Sequence, residues 1–99
     1  MTSPNMPLQP KSADAIRRQC DAGKLNFIGI RHEGAASFAA SAYGKLCGQP
    51  AACMSIAGPG ATNLRTGLWD AKLDRVPILA LTGQVDLQFF GPGSFQELD

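Results

Sequence analysis

Histidine occurs once in this chain, at position 32, and no two cysteines stand in a C-x-x-C spacing. Zinc centres draw their ligands mostly from those two residue types, so no protein-only metal centre is expected. The three cysteines, Cys20, Cys47 and Cys53, form no disulfide framework, and reduced thiols in a cytoplasmic setting are expected. For Cys53 the ordinary role is that of a small buried hydrophobe in a strand. No apolar run approaches the length of a membrane span. The opening MTSPNMPLQPKSADA puts no apolar core behind a basic start, so no secretory signal is expected. Lys and Arg are scattered and the net charge is +1, which argues against the clustered basic face of a nucleic-acid binder. A G-x-S-x-G elbow is missing as well, so a Ser–His–Asp triad has no support.

What remains is an apolar, glycine-punctuated chain. Its 99 residues are 44% hydrophobic, enough for one small domain of marginal stability. Residues 1–11 hold three prolines and no periodicity, and read as a flexible leader. Ser12, Ala13 and Asp14 offer a cap for a short helix that Gly23 closes. Residues 26–31, 51–57 and 76–82 are short, nearly continuous apolar runs, each read as a buried strand. Between the first two, Ala35, Phe38, Ala39, Ala42 and Leu46 recur at helical spacing until Gly48 and Pro50 end the helix. After the turn at Gly58, Pro59 and Gly60, one helix is expected with Leu64, Leu68 and Ala71 on one face. Gly67 within it costs helix stability and marks close packing. Strands alternating with helices predict an α/β fold, a three-layer arrangement with a parallel sheet flanked by helices.

Ligands of open α/β sheets bind beyond the C-terminal ends of the strands. Three unusual segments fall there: Arg31-His32-Glu33, then Ala57-Gly58-Pro59-Gly60, then Thr82-Gly83-Gln84. Each has a plain structural reading beside a functional one. The glycine turn could be an ordinary strand-to-helix connection, for it is neither G-x-G-x-x-G nor a P-loop. Glu33 could simply complement a helix dipole. His32 by itself is read as a structural, hydrogen-bonding residue.

Taken in order, "RHEGAASFAASAYGKLCG", "AGPGATNLRTGLWDAKLDRVPILALTGQV" and "SFQELD" carry more than their spacing. Together they resemble the N-terminal, pyrimidine-binding domain of thiamine-diphosphate-dependent enzymes, in the branch of acetolactate synthase, pyruvate oxidase and quinone-linked pyruvate dehydrogenase. The resemblance covers residues 12–99. It implies a partial thiamine-diphosphate-binding fold and a 2-keto acid, pyruvate-type substrate that is decarboxylated or ligated. By position, it implies that Glu33 hydrogen-bonds the pyrimidine N1′ and favours the 4′-imino tautomer that deprotonates thiazolium C2. A carboxyl out of water is expected to have a raised pKa for that task. The same likeness implies that Gly58, Pro59 and Asn63 line the pyrimidine, and that Gln84, Phe95 and Gln96 reach the substrate end.

Other parts of the family's pattern have no match. The family's first strand is replaced by MTSPNMPLQPK, and nothing matches the Gly-Asp-Gly to Asn segment that holds Mg²⁺ and the diphosphate. Mg²⁺ is therefore expected only through a further domain. The chain is read as a truncated product or fragment, or as a subunit of a dimer or complex whose partner supplies that domain. A non-catalytic remnant and a small nucleotide-binding α/β module built on Gly58 to Gly60 are the alternatives. Whether the chain is itself an enzyme stays open at this stage.

Overall fold

A computed structural model describes residues 8–84, with side chains described from residue 13 onward. The elements run α1 (Leu8–Asp21), α2 (Glu33–Cys47), β1 (Ala51–Ser55), α3 (Pro59–Asn63), α4 (Arg65–Leu73) and β2 (Ile78–Thr82). The fold is α/β. β1 and β2 pair in parallel, with Ala51 opposite Ile78, Cys53 opposite Ala80 and Ser55 opposite Thr82.

α1 begins ahead of the cap expected at Ser12 and overlaps the leader expected over 1–11. Pro10 falls in its first turn, where the backbone nitrogen has no intrahelical bond to lose. Asp14 pairs with Arg17 at 3.0 Å and Arg18 at 2.8 Å, within one turn on the exposed side of the helix. The strand expected over 26–31 does not form. A strand is held by pairing, and this segment meets no ladder partner among the described residues. Phe27 and Ile28 are accordingly exposed. An apolar run alone did not make a strand.

The residues after Gly58 form two helices rather than one. Leu64 ends α3 and starts α4, its N–H bonding back three residues to Ala61 O at 3.2 Å. It is fully buried and joins Ala40 and Cys53 in the core, with Ala36, Ala51, Leu68, Ile78 and Ala80 packed around them. That core lies between one sheet face and the α2–α4 pair. On the opposite face, α1 stands off across an open cleft of about 650 Å³ lined by Ile16, Cys20, Leu25, Phe27 and Met54. Helices thus lie to both sides of the sheet, one side packed and the other loose.

α2 turns a different face inward from the one its apolar spacing suggests. Gly34, Ser37, Ala40, Ser41 and Gly44 are buried, whereas Ala35, Phe38, Ala39, Ala42 and Leu46 are exposed. The reason is proximity. A Cβ on Gly67 of α4 would stand 2.6 Å from the Phe38 nitrogen and would strike Ser37. A Cβ on Gly44 would lie 3.0 Å from the Pro77 carbonyl oxygen and would strike Val76. Only small residues fit a helix held this close to its neighbours. The close packing expected at Gly67 is present.

The buried hydroxyls are satisfied: Ser37 donates to Gly34 O at 3.0 Å, and Ser41 to Asp70 Oδ2 at 2.8 Å. Lys45 reaches both Asp70 and Asp74 at 2.8 Å. Cys53 is buried in β1, as expected, and burial pushes its thiol above the ordinary value. All three cysteines are free. Among the described residues no helix is long and apolar enough to cross a membrane.

Candidate functional site

Because β1 and β2 are parallel, both C-terminal ends fall on one edge of the sheet. Gly83 N–H donates to Ser55 O at 3.1 Å and fastens the segment after β2 to the end of β1. Gln84 is half-buried directly beyond. α2 brings its N-terminus to the same edge. A Cβ placed on Gly60 would sit 3.3 Å from Glu33 Oε1 and 3.5 Å from Ser55 Cβ. Glu33 therefore stands where β1 passes into α3.

The connection after β1 is a turn that glycine alone makes easily. Gly58 is buried with φ 68° and ψ −123°, a backbone state closed to residues with a side chain. Pro59 follows at the start of α3, where its fixed φ suits a helix and its missing N–H costs nothing. Thr62 N–H then bonds Gly58 O at 3.1 Å. This turn aims α3 so that Asn63 faces Glu33, and the Asn63 side-chain amide donates to Glu33 Oε2 at 3.2 Å.

Glu33 is half-buried and its pKa is lowered, not raised as the resemblance implied. Its own backbone N–H is the main cause, the Asn63 amide comes next, and His32 adds a little; partial desolvation opposes them without prevailing. The expectation was for a carboxyl out of water, a condition this chain alone does not create. Here the side chain keeps access to water and has two N–H donors. The group is a carboxylate at neutral pH, an acceptor for a charge-assisted hydrogen bond.

Of the residues singled out from the sequence, the structure brings Glu33 and Asn63 into contact, with Gly58 and Pro59 forming the turn beside them. Gln84 lies on the same edge, and Phe95 and Gln96 lie outside the described residues. Two further residues support the site. Gly60 is one: a side chain there would press on Ile56 Cγ1, 3.0 Å from its Cβ, and on Glu33 Oε1, 3.3 Å away. The glycine after Pro59 was its only signal. The other is His32, whose ring Nδ1 accepts the Gly34 N–H at 3.0 Å and caps α2. Among the described residues no three His, Cys, Asp or Glu side chains are grouped to hold a metal ion.

The site thus offers one carboxylate and one amide, with the bare Cα of Gly60 packed close to Ile56, Glu33 and Ser55. That donor set suits a neutral nitrogen heterocycle, whose ring N–H or amino group can face a carboxylate. The pyrimidine end of thiamine diphosphate fits it.

Comparison with known proteins points the same way. Residues 9–99 match the sequence model of the family described as Thiamine pyrophosphate enzyme, N-terminal TPP binding domain. Acetolactate synthase from Arthrospira platensis is 46% identical over 86 residues, which is 87% of this chain and 15% of that protein. Acetolactate synthase isozyme 2 large subunit from Escherichia coli (strain K12) is 47% identical over 77 residues, 78% of this chain and 14% of that protein. The acetolactate synthase large subunit of Porphyra purpurea is 51% identical over 70 residues, 71% of this chain and 12% of that protein. The chain spans about one-seventh of the length of such relatives. By its sequence match over nearly its whole length, the chain belongs to the thiamine pyrophosphate enzyme family, through that family's N-terminal cofactor-binding domain.

Proposed function

We propose that this chain supplies the pyrimidine side of a thiamine diphosphate site in a cytoplasmic enzyme of the acetolactate synthase type, acting on a pyruvate-like 2-keto acid. One observation carries the reading: the Glu33 carboxylate is held by Asn63 at the C-terminal edge of the sheet, beside the Gly58–Pro59 turn. When bound, thiamine diphosphate supplies the carbanion that attacks the keto acid and stabilises the product of decarboxylation. The chain's own residues place and polarise. Glu33 holds a proton at the pyrimidine nitrogen through a charge-assisted hydrogen bond. Asn63 keeps the carboxylate from turning away, and the Gly58–Pro59 turn fixes Asn63. Gln84, Phe95 and Gln96 serve the substrate end.

The Glu33 carboxylate is a poor partner for a diphosphate, which calls for cations and free backbone N–H groups. The diphosphate with its Mg²⁺ is therefore assigned to another domain, and the working unit to a dimer or a complex in which that domain meets this one.

The test is a nitrogen–proton correlation spectrum of the ¹⁵N-labelled full chain during titration with thiamine diphosphate, and separately with ATP. Thiamine diphosphate is expected to shift the amides of Glu33, Gly58, Gly60 and Asn63, while ATP leaves them in place. Shifts by ATP at the glycine turn, with none from thiamine diphosphate, would instead show a nucleotide-binding module.

A further inference from the structure

We infer that His32 is the positioning residue for Glu33: its imidazole caps α2 and so fixes the glutamate that opens the helix. His32 has an extended backbone, φ −124° and ψ 131°, and takes the capping position next to Glu33. Its ring Nδ1 accepts the Gly34 N–H at 3.0 Å, and its carbonyl accepts from Ala35 N at 3.0 Å and Ala36 N at 3.3 Å. The bond from Gly34 is the one the ring itself accepts; those from Ala35 and Ala36 run to the backbone carbonyl and open the helix.

Gly34 makes the ring's position possible. A Cβ there would lie 3.0 Å from both His32 Cε1 and Nδ1, and 3.4 Å from the Asn63 carbonyl oxygen. The imidazole thus rests against the bare Cα of Gly34, whose other neighbour is the backbone of Asn63. Asn63 in turn holds Glu33 Oε2 at 3.2 Å. His32, Gly34, Asn63 and Glu33 form a closed set in which the capped N-terminus sets where the carboxylate stands. Acceptance at Nδ1 requires a neutral imidazole with its proton on Nε2. Serine, threonine, asparagine and aspartate are the usual caps, and their acceptors need no particular tautomer.

That Glu33 faces the cofactor rests on the reading proposed above; that His32 places Glu33 does not, and the test uses no thiamine diphosphate. The full chain has a single histidine, so its ring nitrogens give unambiguous signals. A long-range nitrogen–proton spectrum of the neutral imidazole is expected to show the Nε2–H tautomer; the Nδ1–H tautomer would overturn the inference. His32→Ala is expected to speed exchange of the Gly34 amide by roughly fivefold, the factor a lost cap implies. It should also move the side-chain amide signals of Asn63. His32→Asn, which caps through its own oxygen, should restore both. Unchanged Gly34 exchange and Asn63 signals in His32→Ala would refute the role, as would a failure of His32→Asn to restore them. If His32→Ala does not fold, the wild-type tautomer alone decides. Failure here removes the cap and leaves the reading of Glu33 standing, whereas failure of thiamine diphosphate to shift the wild-type amides does the reverse.

Discussion

Phe38 and Ser37 are neighbours on α2, yet the serine is fully buried and the phenylalanine is 45% exposed. The pair stands for the whole helix. One face, with Gly34, Ser37, Ala40, Ser41 and Gly44, lies against α4 and the sheet; the other, with Phe38 and Leu46, faces outward. The inward face holds the smaller side chains and two hydroxyls. What selects it is fit: backbones this close leave room for glycine, alanine and serine only, and dense packing repays a modest apolar area with many short contacts. The outward face has the greater apolar area and stays exposed, Leu46 most of all. Since α2 begins at Glu33, the inward face is also what anchors the site.

Four changes would sharpen or break that contrast. Leu64→Ala should cost the most, about 3–4 kcal/mol in urea unfolding, because the leucine is 0% exposed in the core beneath α2. A cost near zero would mean that the core lies elsewhere. Gly67→Ala should lose about 2–3 kcal/mol, since its new methyl meets the backbone of α2, which cannot step aside as a side chain could. If the variant were as stable as the wild type, the helices would not be this close.

Acid should act next. Lys45, and after it Ser41, hold Asp70 below its ordinary value of 3.8, and Lys45 is raised in return. A carboxyl with a lowered folded-state pKa adds stability above the ordinary value and loses it as pH falls through the lowered one. The melting temperature is therefore expected to drop below about pH 4, less steeply in Asp70→Asn than in the wild type. Parallel acid slopes would remove Asp70 from the account. Phe38→Ser and Leu46→Ser, on the outward face, should change the stability of the isolated chain by no more than about 0.5 kcal/mol. Losses as large as that of Leu64→Ala would show the outward face to be covered.

These positions also mark what the sequence made legible. Both sheet strands, the ends of α2 and the Gly58 turn follow from local signals, because caps, glycines and short apolar runs act over a few residues. The inward face of α2 was hidden, since spacing ranks residues by hydrophobicity and cannot measure how near a neighbouring backbone comes. Residues 26–31 misled for a related reason: a strand depends on a partner as well as on its own composition. In the site, Glu33 and Asn63 were recognisable from motifs that lie 30 residues apart, but the bond between them was not. Nor was the lowered pKa, which depends on donors that only the folded chain brings near. His32 stood next to Glu33 with no sequence signal of its capping role, because histidine is an uncommon cap.

The central claim concerns the Glu33 carboxylate and is most directly tested by one affinity comparison. Thiamine diphosphate is titrated into the full chain as wild type and as Glu33→Gln, following the Gly60 and Asn63 amides, with thermal melts confirming that both are folded. The account predicts weak, saturable binding by the wild type and a loss of roughly tenfold or more in Glu33→Gln, as expected when a charged acceptor becomes neutral. Equal affinity in the two proteins would contradict it and return Glu33 to the role of a helix-dipole partner.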